Sequence, residues 1–302
     1  MFPNILNVPA RGVVCAVLAL TSISVLNVAR AQETEPPGYG ERQSPINIID
    51  IPGNEVRYDQ DATKFTDIGR LGMPLTLTVK NTSWGPWCPT CKGSSVDERW
   101  GSLKAYPPKD GAPKIKFGED SYTLVEFHFH SPAEHLVNGR LDEMEVHFVF
   151  SRDGTPLCSH NPNGLLVIGR RIKAGRENST LEKIFGLRNP PEIPLPVNSS
   201  SPYVTVNNFI ISTLLGGLEY SYRYLGSLTA PSELGCTDPP GTPNQQIVSG
   251  YLPEVVQWVL LRDPIEMSPT QIARFQKLFP NGDARGPQTL RRQIVTKTFR
   301  GQ

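Results

Sequence analysis

Residues 126–130 read Glu-Phe-His-Phe-His, and residues 145–150 read Glu-Val-His-Phe-Val-Phe. Alternation of this kind over a short run fits a strand, because successive side chains point to opposite faces. The first run puts Phe127 and Phe129 on one face and Glu126, His128 and His130 on the other. In the second, Glu145, His147 and Val149 share a face, with Val146, Phe148 and Phe150 opposite. Asn138-Gly139-Arg140-Leu141-Asp142 supply turn chemistry between the runs, so an antiparallel pairing brings His147 beside His128 and His130. Polar side chains on strands this apolar need partners. Four of the five histidines fall between 128 and 147. Three neutral imidazoles converging from neighbouring strands make a site for a borderline metal, zinc first, with a fourth position left to water.

The rest of the chain supports a strand-and-loop protein. Its 29 prolines in 302 residues are roughly twice the usual ~5%. Apolar or β-branched runs at 75–80, 123–130, 143–150, 165–172 and 256–261 alternate with Gly, Pro and Asn clusters. Two helices are predicted. One starts at a capping box, Ser179-Thr180-Leu181-Glu182; the other starts at Ser268-Pro269-Thr270-Gln271 and runs until Pro280-Asn281-Gly282. Segments 188–202 and 235–250 read as loops, 32–42 as a flexible tail, and 43–302 as one domain. A net charge of +1 gives no electrostatic case for nucleic acid or an anionic membrane. Glycine-rich phosphate-binding signatures are absent from the sequence.

Residues 1–31 read as a secretory signal peptide. An apolar run at 13–26 is too short to span a bilayer comfortably, and Ala29-Arg30-Ala31 forms a cleavage site before Gln32. The mature chain is therefore expected to be secreted or periplasmic, with no membrane association. Cleavage removes Cys15 and leaves Cys88, Cys91, Cys158 and Cys236, an even number for an oxidising compartment. Four cysteines allow three pairings, and the sequence does not choose among them. Cys88-Pro-Thr-Cys91 sits in loop-like sequence, which favours a structural disulfide over a redox site.

The run Phe-His-Phe-His-Ser-Pro-Ala-Glu-His at 127–135, followed by Glu-Val-His at 145–147, resembles the α-class carbonic anhydrases. Gln43-Ser44-Pro45-Ile46-Asn47-Ile48, Gly226-Ser227-Leu228-Thr229 and Val256-Gln257-Trp258-Val259-Leu260 resemble three further motifs of that family, in its order. The resemblance runs from about residue 43 to the C-terminus. It implies a mainly β (α+β) single domain around a large, mostly antiparallel twisted sheet with a few peripheral short helices. It implies zinc on His128, His130 and His147, and reversible hydration of carbon dioxide to bicarbonate and a proton by zinc-bound hydroxide. Glu145 then orients His147, and Glu126 lies behind His128. Thr229 accepts a hydrogen bond from the hydroxide and donates its own to Glu134. Val149, Val167, Leu228, Val256 and Trp258 form the apolar wall that holds carbon dioxide, and Gln43 braces the fold. Sulfonamides and anions are the inhibitors the family implies; oligomeric state is left open.

The match departs in places. Trp84 stands where many family members carry a histidine that ferries the proton out, so slowed turnover is expected. Glu126 replaces the family's usual glutamine and adds negative charge. The stretch 230–255 is longer than in the family, and Asp283-Ala284-Arg285-Gly286-Pro287-Gln288 resembles an altered N-x-R-P-x-Q segment. Trp84, the long 230–255 stretch and the short run before Gln43 favour a second reading, a secreted carbonic-anhydrase-like binding or scaffold protein with little or no turnover.

Overall fold

A computed structural model describes residues 41–83, 101–155, 163–186, 203–230, 252 and 254–300. These residues fall in one compact unit, Glu35–Gln302; the preceding unit, Met1–Thr34, lies outside the described residues. So do Trp84, all five cysteines, the proposed signal peptide and most of the predicted loops.

The core is a mixed sheet. Its main path uses β1 (Arg57–Tyr58), β2 (Leu75–Ser83), β3 (Gly101–Tyr106), β4 (Asp120–His130) and β5 (Met144–Arg152). It continues through β6 (Leu165–Ala174), β7 (Tyr203–Phe209), β8 (Ser221–Gly226), β9 (Val256–Leu261) and β10 (Thr296–Lys297). The spatial order is β7-β2-β3-β4-β5-β6-β9-β8-β10-β1. Pairing along it is antiparallel except at β6–β9 and β10–β1. The predicted strands are present and extend by a few residues, as at β4, where the added residues pair with the short strand Lys114–Phe117.

Three short helices sit beside the sheet: α1 (Glu182–Phe185), α2 (Ser212–Leu215) and α3 (Pro269–Leu278). The start of α3 matches the sequence pattern: Ser268 caps Gln271, Gln271 answers, and Pro269 opens the helix. The start of α1 does not. Ser179 provides no cap; Asn178 Oδ1 accepts instead from the amides of Thr180 (3.1 Å) and Leu181 (3.0 Å). Glu182 is drawn outward to Gln271 Nε2 (2.9 Å), so a tertiary contact replaces the local capping box. The tail ends earlier than its sequence suggests, since Arg42 is held by Glu254 through backbone (2.8 Å) and side chain (3.1 Å).

The sheet separates two packed regions. On one face Phe127, Phe129, Phe148 and Phe150 join α1 and α3 through Phe185 and Phe275 in the larger core. On the other, Val149, Val167, Val256, Trp258 and Tyr224 form a smaller cluster with Ile46 and Ile48.

Candidate metal centre

One irregularity in β4 decides which side chains meet. Above it Leu124 pairs with Phe150; below it Glu126 pairs with Val149, and Val125 between them has no cross-strand partner. This bulge moves the pairing of the lower half by one residue, and a one-residue shift exchanges faces. His128 therefore lies directly opposite His147. In the unshifted register it would face Val146, whose side chain belongs to the aromatic face.

The three rings are buried, with centroids 4.8 Å (His128–His130), 5.2 Å (His128–His147) and 4.8 Å (His130–His147) apart. Each has one nitrogen fixed from behind. His128 Nδ1 lies 2.9 Å from Glu126 Oε1, and His147 Nε2 lies 2.9 Å from Glu145 Oε1. His130 Nδ1 donates to the carbonyl of Asp283 at 3.1 Å. A carbonyl only accepts, so the proton of His130 is on Nδ1 and Nε2 carries a lone pair. That Nε2 is buried with no hydrogen-bond partner among the described residues, as suits a nitrogen whose lone pair is kept for a ligand. The three histidines offer ligand atoms within 4.8 Å of one another. Three neutral nitrogen donors backed by acceptors fit zinc, with room for a further ligand.

A second cluster, His135, Glu145 and His147, is equally close. His135 is committed elsewhere: Nδ1 to Glu145 Oε1 (2.8 Å) and Nε2 to the Tyr224 hydroxyl (2.6 Å). Glu145 also accepts from the amides of Glu134 (3.0 Å) and His135 (2.8 Å). Burial alone would raise its carboxyl, but His135 and His147 hold it well below the usual carboxylate range. Burial pushes the His147 imidazole down, more than Glu145 raises it, which favours the neutral ring that can bind a cation. Gly169 makes room for this pair. A Cβ there would meet Glu145 Oε1 at 2.9 Å and Leu260 Cδ1 at 3.1 Å.

The remaining residues fall around the same face. Val149 and Trp258 flank Val167 across β5–β6–β9, and Val256 pairs with Leu165. Leu228 packs against this cluster half-buried. The Trp258 ring lies 4.9 Å from His147, and its Nε1 donates to the Ser227 carbonyl (2.9 Å). Gln43 is a brace: its amide exchanges two hydrogen bonds of 2.9 Å with Leu252, and its Oε1 receives Arg285. Thr229 is buried, but no hydrogen bond joins it to Glu134 among the described residues. Glu134 Oε1 instead accepts from the Arg285 amide (2.7 Å), and its Oε2 is buried without a hydrogen-bond donor among those residues, 3.9 Å from His147 Nδ1.

Asp283 and the His135–Tyr224 pair are the functional neighbours that sequence reading left unassigned. Asp283 is 153 positions from the ring it holds, and a backbone carbonyl leaves no signature in side-chain pattern.

A family model described as eukaryotic-type carbonic anhydrase matches residues 30–237. A carbonic anhydrase of Nostoc sp. is 31% identical over 187 residues, covering 61% of this chain and 57% of that protein. Carbonic anhydrase 1 of Oryctolagus cuniculus is 25% identical over 283 residues, 86% of this chain and 100% of that protein. Carbonic anhydrase 7 of Homo sapiens is 25% identical over 290 residues, 88% of this chain and 91% of that protein.

Proposed function

The chain belongs to the eukaryotic-type carbonic anhydrase family, and on that premise we propose that it converts carbon dioxide and water to bicarbonate and a proton, with zinc held by His128, His130 and His147. The observation that carries this reading is the buried lone pair of His130 Nε2, aimed into a cluster of three imidazoles. Zinc, when bound, supplies a Lewis acid that brings a water to a pKa of about 7, as is established for carbonic anhydrases.

The chain's own residues do the rest. Glu126, Glu145 and the Asp283 carbonyl fix the tautomer and plane of each ring, so the donors need no rearrangement. Val149, Val167, Leu228, Val256 and Trp258 exclude water and hold an apolar substrate against the site. By the family pattern Thr229 would donate to Glu134, whose Oε2 accepts no hydrogen bond among the described residues, and so orient the attacking oxygen. Trp84 carries no titratable group, so proton removal depends on buffer. Residues 1–31 act as an export signal, which N-terminal sequencing of the mature protein tests by a start at Gln32.

Purified protein should hold one zinc per chain and hydrate carbon dioxide in a reaction blocked by an aromatic sulfonamide. Neither zinc nor hydration would leave the scaffold reading standing. Thr229→Ala should keep zinc and lose on the order of 10²-fold in rate. Turnover should climb steeply with added imidazole buffer; a flat response means another group moves the proton.

A further inference from the structure

On the face of the sheet away from the histidines lies a hollow of about 220 Å³, lined by Arg223, Leu225, Phe117, Thr63, Ile294 and Asp59, among others. Arg223 and Leu225 alternate along β8 with Tyr224, whose ring stacks on Trp258 at 6.2 Å on the metal side. Tyr224 and Trp258 also line the hollow, so no more than this one sheet layer lies between it and the metal side.

Its distinguishing group is the Arg223 guanidinium. Nε donates to Ser221 Oγ (3.1 Å), Nη1 donates to the Thr63 carbonyl, and the plane lies over Phe65 (5.4 Å) and Phe117 (5.1 Å). These contacts fix the fork rigidly, but none supplies a counter-charge, and no carboxylate forms an ion pair with it among the described residues. Burial pushes its pKa down to about 10, which reports how poorly the cation is compensated. Asp59 acts on it only at longer range, and Asp59 Oδ1 already accepts from the Asp61 amide (3.1 Å). Around this cation the rim is mixed: Leu225 (41% accessible) and Ile294 (77%) supply exposed aliphatic surface beside Asp59, Thr63, Gln257 and Thr296.

An uncompensated, immobilised guanidinium beside exposed aliphatic side chains fits a ligand with one negative group and an apolar body. The acid at Asp59 disfavours a second negative charge, which argues against phosphate. We propose that this hollow is a binding site for a small monocarboxylate carrying an aliphatic or single-ring body, its carboxylate on Arg223 and its body against Leu225, Phe117 and Ile294. The site is independent of the metal reading.

The probe is benzoate, titrated by ligand-observed NMR into the zinc-loaded enzyme with excess aromatic sulfonamide present to fill the metal centre. Saturable binding with a Kd on the order of 1 mM is expected, the range for a ligand of so few atoms. Arg223→Gln should weaken it by at least about tenfold, the loss of one charge-assisted contact. Ile294→Asp, at an exposed position that does not threaten folding, should weaken it in the same direction. Sulfonamide stoichiometry should be unchanged in both variants. Benzoate binding that vanishes when the metal centre is filled overturns the proposal. So does undiminished binding in folded Arg223→Gln or, should that variant not fold, in Ile294→Asp. Tighter binding of inorganic phosphate than of benzoate overturns the ligand class.

Discussion

On one face of β4, Phe127 stacks on Phe209 at 5.5 Å and lies tilted against Phe148 at 5.2 Å, and Phe129 meets Phe185 at 5.1 Å. On the other face of the same residues' neighbours, His128 and His130 meet a carboxylate and a carbonyl, at 2.9 and 3.1 Å. Both faces are equally buried. The aromatic face is held by non-directional burial, worth roughly 1.5–3 kcal/mol per large side chain, spread over many contacts. The histidine face is held by directional pairs, where loss of one atom strands a buried polar partner. A buried face that carries function is therefore the less forgiving of the two, although its apolar cluster is the smaller.

The sharpest separation of the faces comes from His147→Ala. Zinc content should fall from one per chain to near zero and hydration to background, measured by metal analysis and a pH-indicator assay, while the metal-free fold persists. Retained zinc would remove His147 from the ligand set. Next come paired truncations on opposite faces. Glu145→Ala and Phe148→Ala should each destabilise by about 3–5 kcal/mol in chemical denaturation, for different reasons. Glu145→Ala leaves two imidazoles and two amides without an acceptor and should weaken zinc binding by about 10–100-fold. Phe148→Ala leaves a cavity and should keep stoichiometric zinc. If both variants lose metal alike, the faces are not energetically separate. The smallest change is Gly169→Ala, which adds one methyl 2.9 Å from Glu145 Oε1. It should cost about 1–3 kcal/mol, because the carboxylate it displaces has four donors and cannot yield cheaply. A neutral result would show that Glu145 is less firmly held than its hydrogen bonds imply.

Much of this contrast can be read from residue order. Alternation assigns Phe127 and His128 to opposite faces without any coordinates, and the three histidines and their apolar wall do gather on one face. The Ser268 cap of α3 was equally legible, since its partners lie within one turn. What escaped depends on partners far along the chain. The Asp283 carbonyl behind His130 is a backbone group, and nothing in the residue type advertises it. The start of α1 at Asn178 rather than Ser179 follows from Gln271 capturing Glu182 across 89 positions. The Thr229 to Glu134 contact, implied by the family motif, is open although both side chains are buried, so motif identity does not by itself fix a hydrogen bond.

Val125 has a consequence resembling punctuation in a triplet message. The half of β4 above it is tied to Lys114–Phe117, and the half below to β3 and β5, so neither half is at liberty to slide. Removing that one residue would change the frame in which everything downstream is read: phenylalanines would turn toward the metal and histidines toward the oily core. Substitutions at Val125 should be tolerated readily, since only its presence is counted. Its deletion should be tolerated hardly at all, making this position one whose length, and not its identity, is inherited.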